Sequence, residues 1–533
     1  MFLVLAVVGV AQDTARMNEV AKAQAADDKF MGSVLVAKDG AVIFAQSYGW
    51  ANIEWRIPNT PATKFRLGSV TKQFTAAGVL LLEEQGKLKL DDPVSKFIPT
   101  SPEAWKQVTL YQLLTHTSGI PSFTDFPGYA TWKLSPESPA QSIAHISDKP
   151  LDFTPGEKFK YSNTNYVLLG WIIELVSHQS YEAFLREHIF TPLGMNDTGY
   201  DSNTAIIPQR ASGYVPGPNG LTNAPYIDMH VPHGAGALYS TTADLLRWTQ
   251  GLFGGKLLSA ASLEKMITPN KDNYAFGLGV RTEGGRKVIS HGGGIEGFNA
   301  MLAYYPESKV TVVVLANVNG SAFAELASQL ATINFGSPVV LPTERKEVDV
   351  PATTLQRYVG VYRLNPKIIN TVRLTDGRLT TQLSGQPAFP VFAESDKKFF
   401  LKIVDAQVEF VMDDQGRVTH LLQFQNGRTQ KAPRINDTVV EHNAITLPRA
   451  TLETYVGTYE LKPGFDLAIT LQGDQLMSQA TGQGKAPVFS EAETKFFLKA
   501  VDAQLEFFKD AKGVVTHLML YQGGQEIKGL RKP

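Results

Sequence analysis

Cysteine is absent from all 533 residues. That removes disulfides, thiolate catalysis and cysteine-ligated zinc, without fixing a redox compartment. An excess of one charge is missing too: 50 Lys and Arg stand against 51 Asp and Glu. No block of like charge marks a face for nucleic acid or an anionic membrane, so neither is an expected partner. No apolar run is long enough to cross a bilayer as a helix. No His-x-x-x-His or His-Glu-x-x-His spacing offers a zinc site, and no Gly-x-Ser-x-Gly elbow occurs. What remains is a globular composition, 43% hydrophobic and 19% charged, on a chain too long for one ordinary domain.

At the N-terminus, Phe2–Val10 is a short apolar run followed by Gly9-Val10-Ala11-Gln12, with small residues flanking a cut after Ala11. Residues 1–11 read as a signal peptide lacking its basic start, which implies a periplasmic or secreted protein. An ordinary apolar arm is the competing reading.

The C-terminal part is a duplication. Tyr358 recurs as Tyr455, Phe399 as Phe496 and His420 as His517, at a constant offset of 97 residues. Each copy alternates apolar and polar residues between turn signals such as Asp376-Gly377 and Asp413–Gly416. Two antiparallel barrels or strongly curled sheets are expected, over 351–434 and 449–533, with linkers around 337–351 and 435–448. The repeat makes His420 and His517 structural. Residues 12–336 differ in texture: strand-like runs at Ser33–Ala37 and Ala41–Ala45, helical stretches at 71–85 and 167–177, and strands again at 301–305 and 310–315. Strands at both ends of a helical middle predict an α+β layer structure.

Chemistry concentrates in three places. Ser69 and Lys72 lie three apart at the start of an apolar helical run, hence on one helical face. Free N–H groups at a helix start can hold developing negative charge, and a desolvated Lys72 can take the serine proton. Ser262–Lys265 and Ser395–Lys398 repeat the spacing without a buried helix and read as surface coincidences. Tyr161-Ser162-Asn163 precedes a second apolar helix. A cation beside Tyr161 would lower its phenol pKa and make it a proton relay, while Asn163 would turn its amide toward substrate or Lys72. The competing reading is a Ser-Asn helix cap after a core tyrosine. His291-Gly292-Gly293-Gly294 lies on a strand edge where bare N–H groups can meet a substrate backbone. It matches a lipase oxyanion motif as well, but the missing serine elbow excludes that fold. His116 reads as a structural loop histidine, and His233 as either pocket-lining or incidental.

Together these segments resemble the serine β-lactamase family of the class C type and its D-Ala-D-Ala carboxypeptidase, D-aminopeptidase and family VIII esterase relatives. Phe65–Thr75, Leu113–Gly119, Tyr161–Asn163, Pro192–Met195, Gly234–Leu238 and His291–Gly293 follow the family's order over roughly 17–336. The resemblance implies a multidomain chain with an α+β catalytic domain before the two all-β repeats. It further implies a nucleophile at Ser69, acid/base work by Lys72 and Tyr161, and an oxyanion hole from the N–H groups of Ser69 and Gly294. His291, Asn163 and Gly293 would complete the site, with no cofactor and no metal. His291 stands where class C enzymes carry lysine, and a mostly neutral imidazole holds a β-lactam carboxylate poorly. Short peptides, including D-amino-acid ones, or small esters are therefore the expected substrates. A β-lactamase and a non-catalytic peptidoglycan-binding protein are the alternatives.

Overall fold

The computed structural model describes residues 3–365, 368–425, 428–437, 439, 442, 444–499, 501, 503–522 and 525–532, with side chains from residue 14 onward and none at 428. The chain separates into two compact units, Met1–Val339 and Val340–Pro533.

In the first unit α1 (Leu3–Ala25) leads to β1 (Gly32–Lys38) and β2 (Ala41–Tyr48). The helix backbone runs through most of the expected leader, whose side chains lie outside the described residues. No helix among the described residues is long and apolar enough to cross a membrane. Asp39 and Gly40 between the strands take φ of 50° and 79°, the two-residue turn whose twist suits a hairpin. The middle supplies α2 (Thr71–Glu84), α3 (Asn163–Ser177) and α4 (Thr242–Phe253). Then come β3 (Gly279–Glu283), β4 (Arg286–Ile295), β5 (Phe298–Tyr305), β6 (Val310–Ala316) and α5 (Ala322–Asn334).

One antiparallel sheet gathers both ends of the unit in the order β3-β4-β5-β6-β1-β2. Gly32 pairs with Ala316 and Lys38 with Val310. β6 is buried at every residue, as a strand covered on both faces must be, and so it shows no polar alternation. Leu35, Ala37, Val313 and Leu315 join the main core with α2 and α3. Val34, Val36, Val312 and Val314 are buried on the opposite face, where α1 and α5 pack. α2 is buried from Thr71 through Leu80. It runs through the core and carries Lys72 there.

The second unit holds the two copies. Each opens with a short helix, Ala352–Leu355 or Arg449–Glu453, and is otherwise antiparallel strands. The later copy is a closed eight-stranded barrel. The earlier copy is a nine-stranded sheet whose two edges, Phe389–Pro390 and Phe392–Ala393, are consecutive in the chain. Their counterpart in the later copy is one continuous strand, Ala486–Ser490. The barrel architecture is thus common to both, with one strand interrupted at Val391.

Candidate active site

Ser69 sits in a 3-10 turn, Gly68–Val70, that feeds directly into α2. Leu67 N–H donates to the Leu238 carbonyl at 2.8 Å, and Thr71 Oγ1 accepts from Leu238 N at 3.2 Å. The turn is therefore pinned on both sides of the serine. Gly68 has φ +51°, and a Cβ there would meet Gly294 N at 2.8 Å. A Cβ on Gly293 would meet the Leu67 carbonyl at 1.9 Å. Both glycines are required for β4 to lie against the serine turn, and this contact brings the Gly294 backbone beside Ser69.

Lys72 is fully buried, at 0% exposure. Its Nζ lies 3.0 Å from Ser69 Oγ, 2.9 Å from Asn163 Oδ1 and 2.8 Å from the Ala235 carbonyl. Burial holds its pKa well below that of a free lysine. Among the described residues it has no carboxylate partner to restore the charge. A neutral amine has two hydrogens and one lone pair. The two carbonyl oxygens can only accept, so they take both hydrogens and leave the lone pair for the Ser69 hydroxyl.

Tyr161 follows the Leu114–Gly119 loop in space. Lys160 N–H donates to the His116 carbonyl and Ser162 N–H to His116 Nδ1. The Tyr161 ring lies 4.8 Å from Lys72 Nζ and 4.4 Å from the His116 ring. Its phenol pKa is raised by burial, with the Ser69 hydroxyl opposing the rise. The expected lowering by a neighbouring cation does not occur; burial dominates the phenol. Asn163 turns its carbonyl to Lys72 and its amide to Thr124 Oγ1 at 3.3 Å. Ser162 stands at the N-cap of α3 without a side-chain capping bond, so the helix-cap reading of Tyr-Ser-Asn holds for its position but not for a capping side chain.

His291 is held at both ring nitrogens. Nδ1 lies 2.6 Å from the Gly292 carbonyl, which can only accept, so Nδ1 carries the hydrogen. Nε2 then accepts from the Tyr274 hydroxyl at 3.1 Å. Burial and then the field of Lys72 lower its pKa to about 4. The imidazole is neutral, as expected, and its one N–H is directed to the Gly292 carbonyl. Tyr274 is the residue the sequence did not reveal. It is buried, edge-on to Tyr161 at 6.2 Å and 4.8 Å from His116. His116 is buried as well, its pKa held low by burial and then by Lys72. Nδ1 accepts from Ser162 N and Asn165 Nδ2, while Nε2 has no partner. It is part of the wall behind Tyr161, more than a loop residue.

His233 is also placed. It precedes the Ala235 carbonyl that Lys72 grips, and its Nε2 lies 3.5 Å from Glu174 Oε1. The other Ser-x-x-Lys pairs do not converge on anything: Lys265 pairs with Glu83 and Lys398 with Glu394. His420 and His517 each contact the preceding threonine hydroxyl, in equivalent positions.

A cleft of about 380 Å³ opens over Ser69, lined also by Gly68, Phe123, Tyr129, Asn163, Gly294 and Glu296. Ser69, Asn163 and Gly294 thus share one cavity; Lys72 contacts Ser69 and Asn163 from outside its lining, and Tyr161, His116, Tyr274 and His291 adjoin Lys72 and one another. Gly293 supports the strand contact beneath the cavity.

The beta-lactamase family model matches residues 19–333. A model described as a domain of unknown function (DUF3471) matches twice, at 344–436 and 441–531. Penicillin-binding protein 4* of Bacillus subtilis is 32% identical over 435 residues, covering 76% of this chain and 95% of that protein. Among solved structures, the octameric penicillin-binding protein homologue from Pyrococcus abyssi is 29% identical with a TM-score of 0.57, covering 78% of this chain and 99% of that one. A D-stereospecific amidohydrolase from Streptomyces is 27% identical with a TM-score of 0.53, covering 61% and 99%.

Proposed function

The chain belongs to the beta-lactamase family, and on that premise we propose that it is a serine hydrolase working through an acyl-enzyme on amide or ester bonds. The observation that carries the reading is the Lys72 amine, buried and without a carboxylate partner, 3.0 Å from the Ser69 hydroxyl. Such an amine is a base at neutral pH.

Ser69 Oγ attacks the carbonyl carbon as its proton passes to Lys72 Nζ. The N–H groups of Ser69 and Gly294 receive the oxyanion. Tyr161, kept protonated by burial, donates to the leaving nitrogen or oxygen as the bond breaks. The proton on Lys72 then restores the phenol. Water enters by the reverse sequence and frees Ser69. Favoured substrates are short peptides, amides or small esters, including D-amino-acid compounds, in keeping with a D-stereospecific amidohydrolase among its structural relatives. A neutral His291 disfavours penicillins and cephalosporins, whose carboxylate needs a fixed cation. The organisation is a hydrolase domain over 12–336 with two accessory barrels, in a periplasmic or secreted protein.

A fluorophosphonate probe tests the reading. One adduct, on the peptide containing Ser69 and lost in Ser69→Ala, is expected. Labelling that survives the substitution, or no labelling of the folded parent, overturns the nucleophile.

A further inference from the structure

Among the described residues, Glu296 is the single charged side chain lining the cleft over Ser69. Its side chain is 17% exposed, and its Oε1 lies 2.6 Å from Lys133 Nζ. Lys133 is not part of the cleft lining, so the cavity meets the carboxylate end of this pair. Lys133 also lies 5.6 Å from the Tyr129 ring, and its carbonyl accepts from Asp228 N at 2.9 Å. The main chain of Lys133 is anchored, and its ammonium holds one oxygen of the carboxylate. Oε2 accepts no hydrogen bond from any described residue and is not sealed from solvent.

The strand also gives the direction. β4 passes from His291, beside Tyr161 at 6.2 Å, to Gly294 against the Ser69 turn, and Glu296 follows immediately after. On the reading above, Tyr161 protonates the leaving group. The opposite end of the strand then faces the acyl side. Two residues span at most about 7 Å, so Glu296 stands about one substrate residue from the attacked carbonyl.

We propose that Glu296 selects substrates whose acyl residue carries a free ammonium group, received by Oε2, and that the chain therefore acts on unblocked aminoacyl amides, short peptides or esters. This rests on the Ser69 reading and deepens it. An anionic acyl group meets repulsion in the same place, and an N-acylated one leaves the carboxylate without a hydrogen-bond donor of its charge.

The experiment compares alanine p-nitroanilide, D and L, with its N-acetyl counterpart at about pH 6.5, where an α-amine is protonated. The free amine should be preferred in kcat/KM by about tenfold or more, the range of a charge-assisted hydrogen bond. Glu296→Gln should lower kcat/KM for the free amine by about the same factor and leave the N-acetyl compound within about threefold, while Glu296→Asp retains part of the preference. Fluorophosphonate labelling of Ser69 should be equal in all variants. Equal losses on both substrates, a parent that prefers the N-acetyl form, or labelling without turnover of either anilide overturns the amine inference and leaves the nucleophile standing. Absence of labelling removes both.

Discussion

In the β copies, buried tyrosines donate to backbone carbonyls. Tyr358 reaches Asp396 O at 3.0 Å and Tyr455 reaches Glu493 O at 2.8 Å. Tyr362 and Tyr459 close the same local turn at 2.7 and 2.8 Å. In the first unit, Tyr161 and Tyr274 face Lys72, His116 and His291 instead. The residue type and burial are alike, but the partners differ. A carbonyl takes a proton's hydrogen bond and never the proton, so these bonds of the barrel tyrosines brace the fold, even where a lysine, Lys509, lies 5.1 Å from the Tyr455 ring. Titratable partners can exchange protons. Retention of the barrel contacts at a fixed offset shows a constraint of packing met twice.

The largest expected difference is catalytic. Lys72→Met and Tyr161→Phe should each lower turnover of an activated ester by orders of magnitude, and the double variant should be little worse than the poorer single, as in a shared proton network. Strictly additive losses would put Tyr161 among the bracing tyrosines and break the comparison.

The next difference is in acid. His291 has a folded pKa near 4 against 6.5 unfolded, and His116 is also well below 6.5. Between these values the unfolded chain binds more protons, so stability of the first unit falls as pH drops below 6.5. The loss is up to about 1.4 kcal/mol per pH unit for each histidine. His420 and His517 are lowered as well, but they lie near the barrel surfaces, where solvent weakens the effect. Calorimetry at pH 7 and pH 4.5 should show the transition of the first unit moving down further than that of the barrels. Parallel movement would contradict the assignment of the low-pKa groups.

The smallest effect tests the two copies against each other. Tyr358→Phe and Tyr455→Phe should each cost about 1 kcal/mol, the worth of one hydrogen bond to a carbonyl left unpaired, without altering turnover. A gap of more than about 1 kcal/mol between them would show that the interrupted strand at Val391 weakens its copy.

Much of the site was legible because its parts are local. Ser69 and Lys72 share a helix face, and glycines mark the approach of β4. The duplication declared two barrels, though the break at Val391 has no evident cause, since both copies carry proline at the equivalent position, Pro390 and Pro487. What stayed hidden depends on distant segments meeting. Tyr274 sits in no distinctive pattern and gains meaning only from His291 Nε2. The Gly234–Leu238 segment is recognisable, but the role of its Ala235 carbonyl in aiming the Lys72 lone pair has no side-chain signature. The phenol shift ran opposite to expectation because desolvation of Tyr161 itself outweighs its neighbours, which a pairwise reading of cation and phenol omits.

The pairing of β1 with β6 bears on how the molecule comes into being. Gly32 waits for Ala316, roughly 280 residues later, and closing a loop of that length is an entropic debt settled only once both ends exist. During synthesis the first hairpin must persist with an open edge until nearly the whole unit has emerged. A chain stopped short of residue 310 has α2, and with it Ser69 and Lys72, but lacks the strand that ties its beginning to its end. The order of synthesis therefore makes the first unit an all-or-none product, with its aggregation risk greatest just before that unit closes.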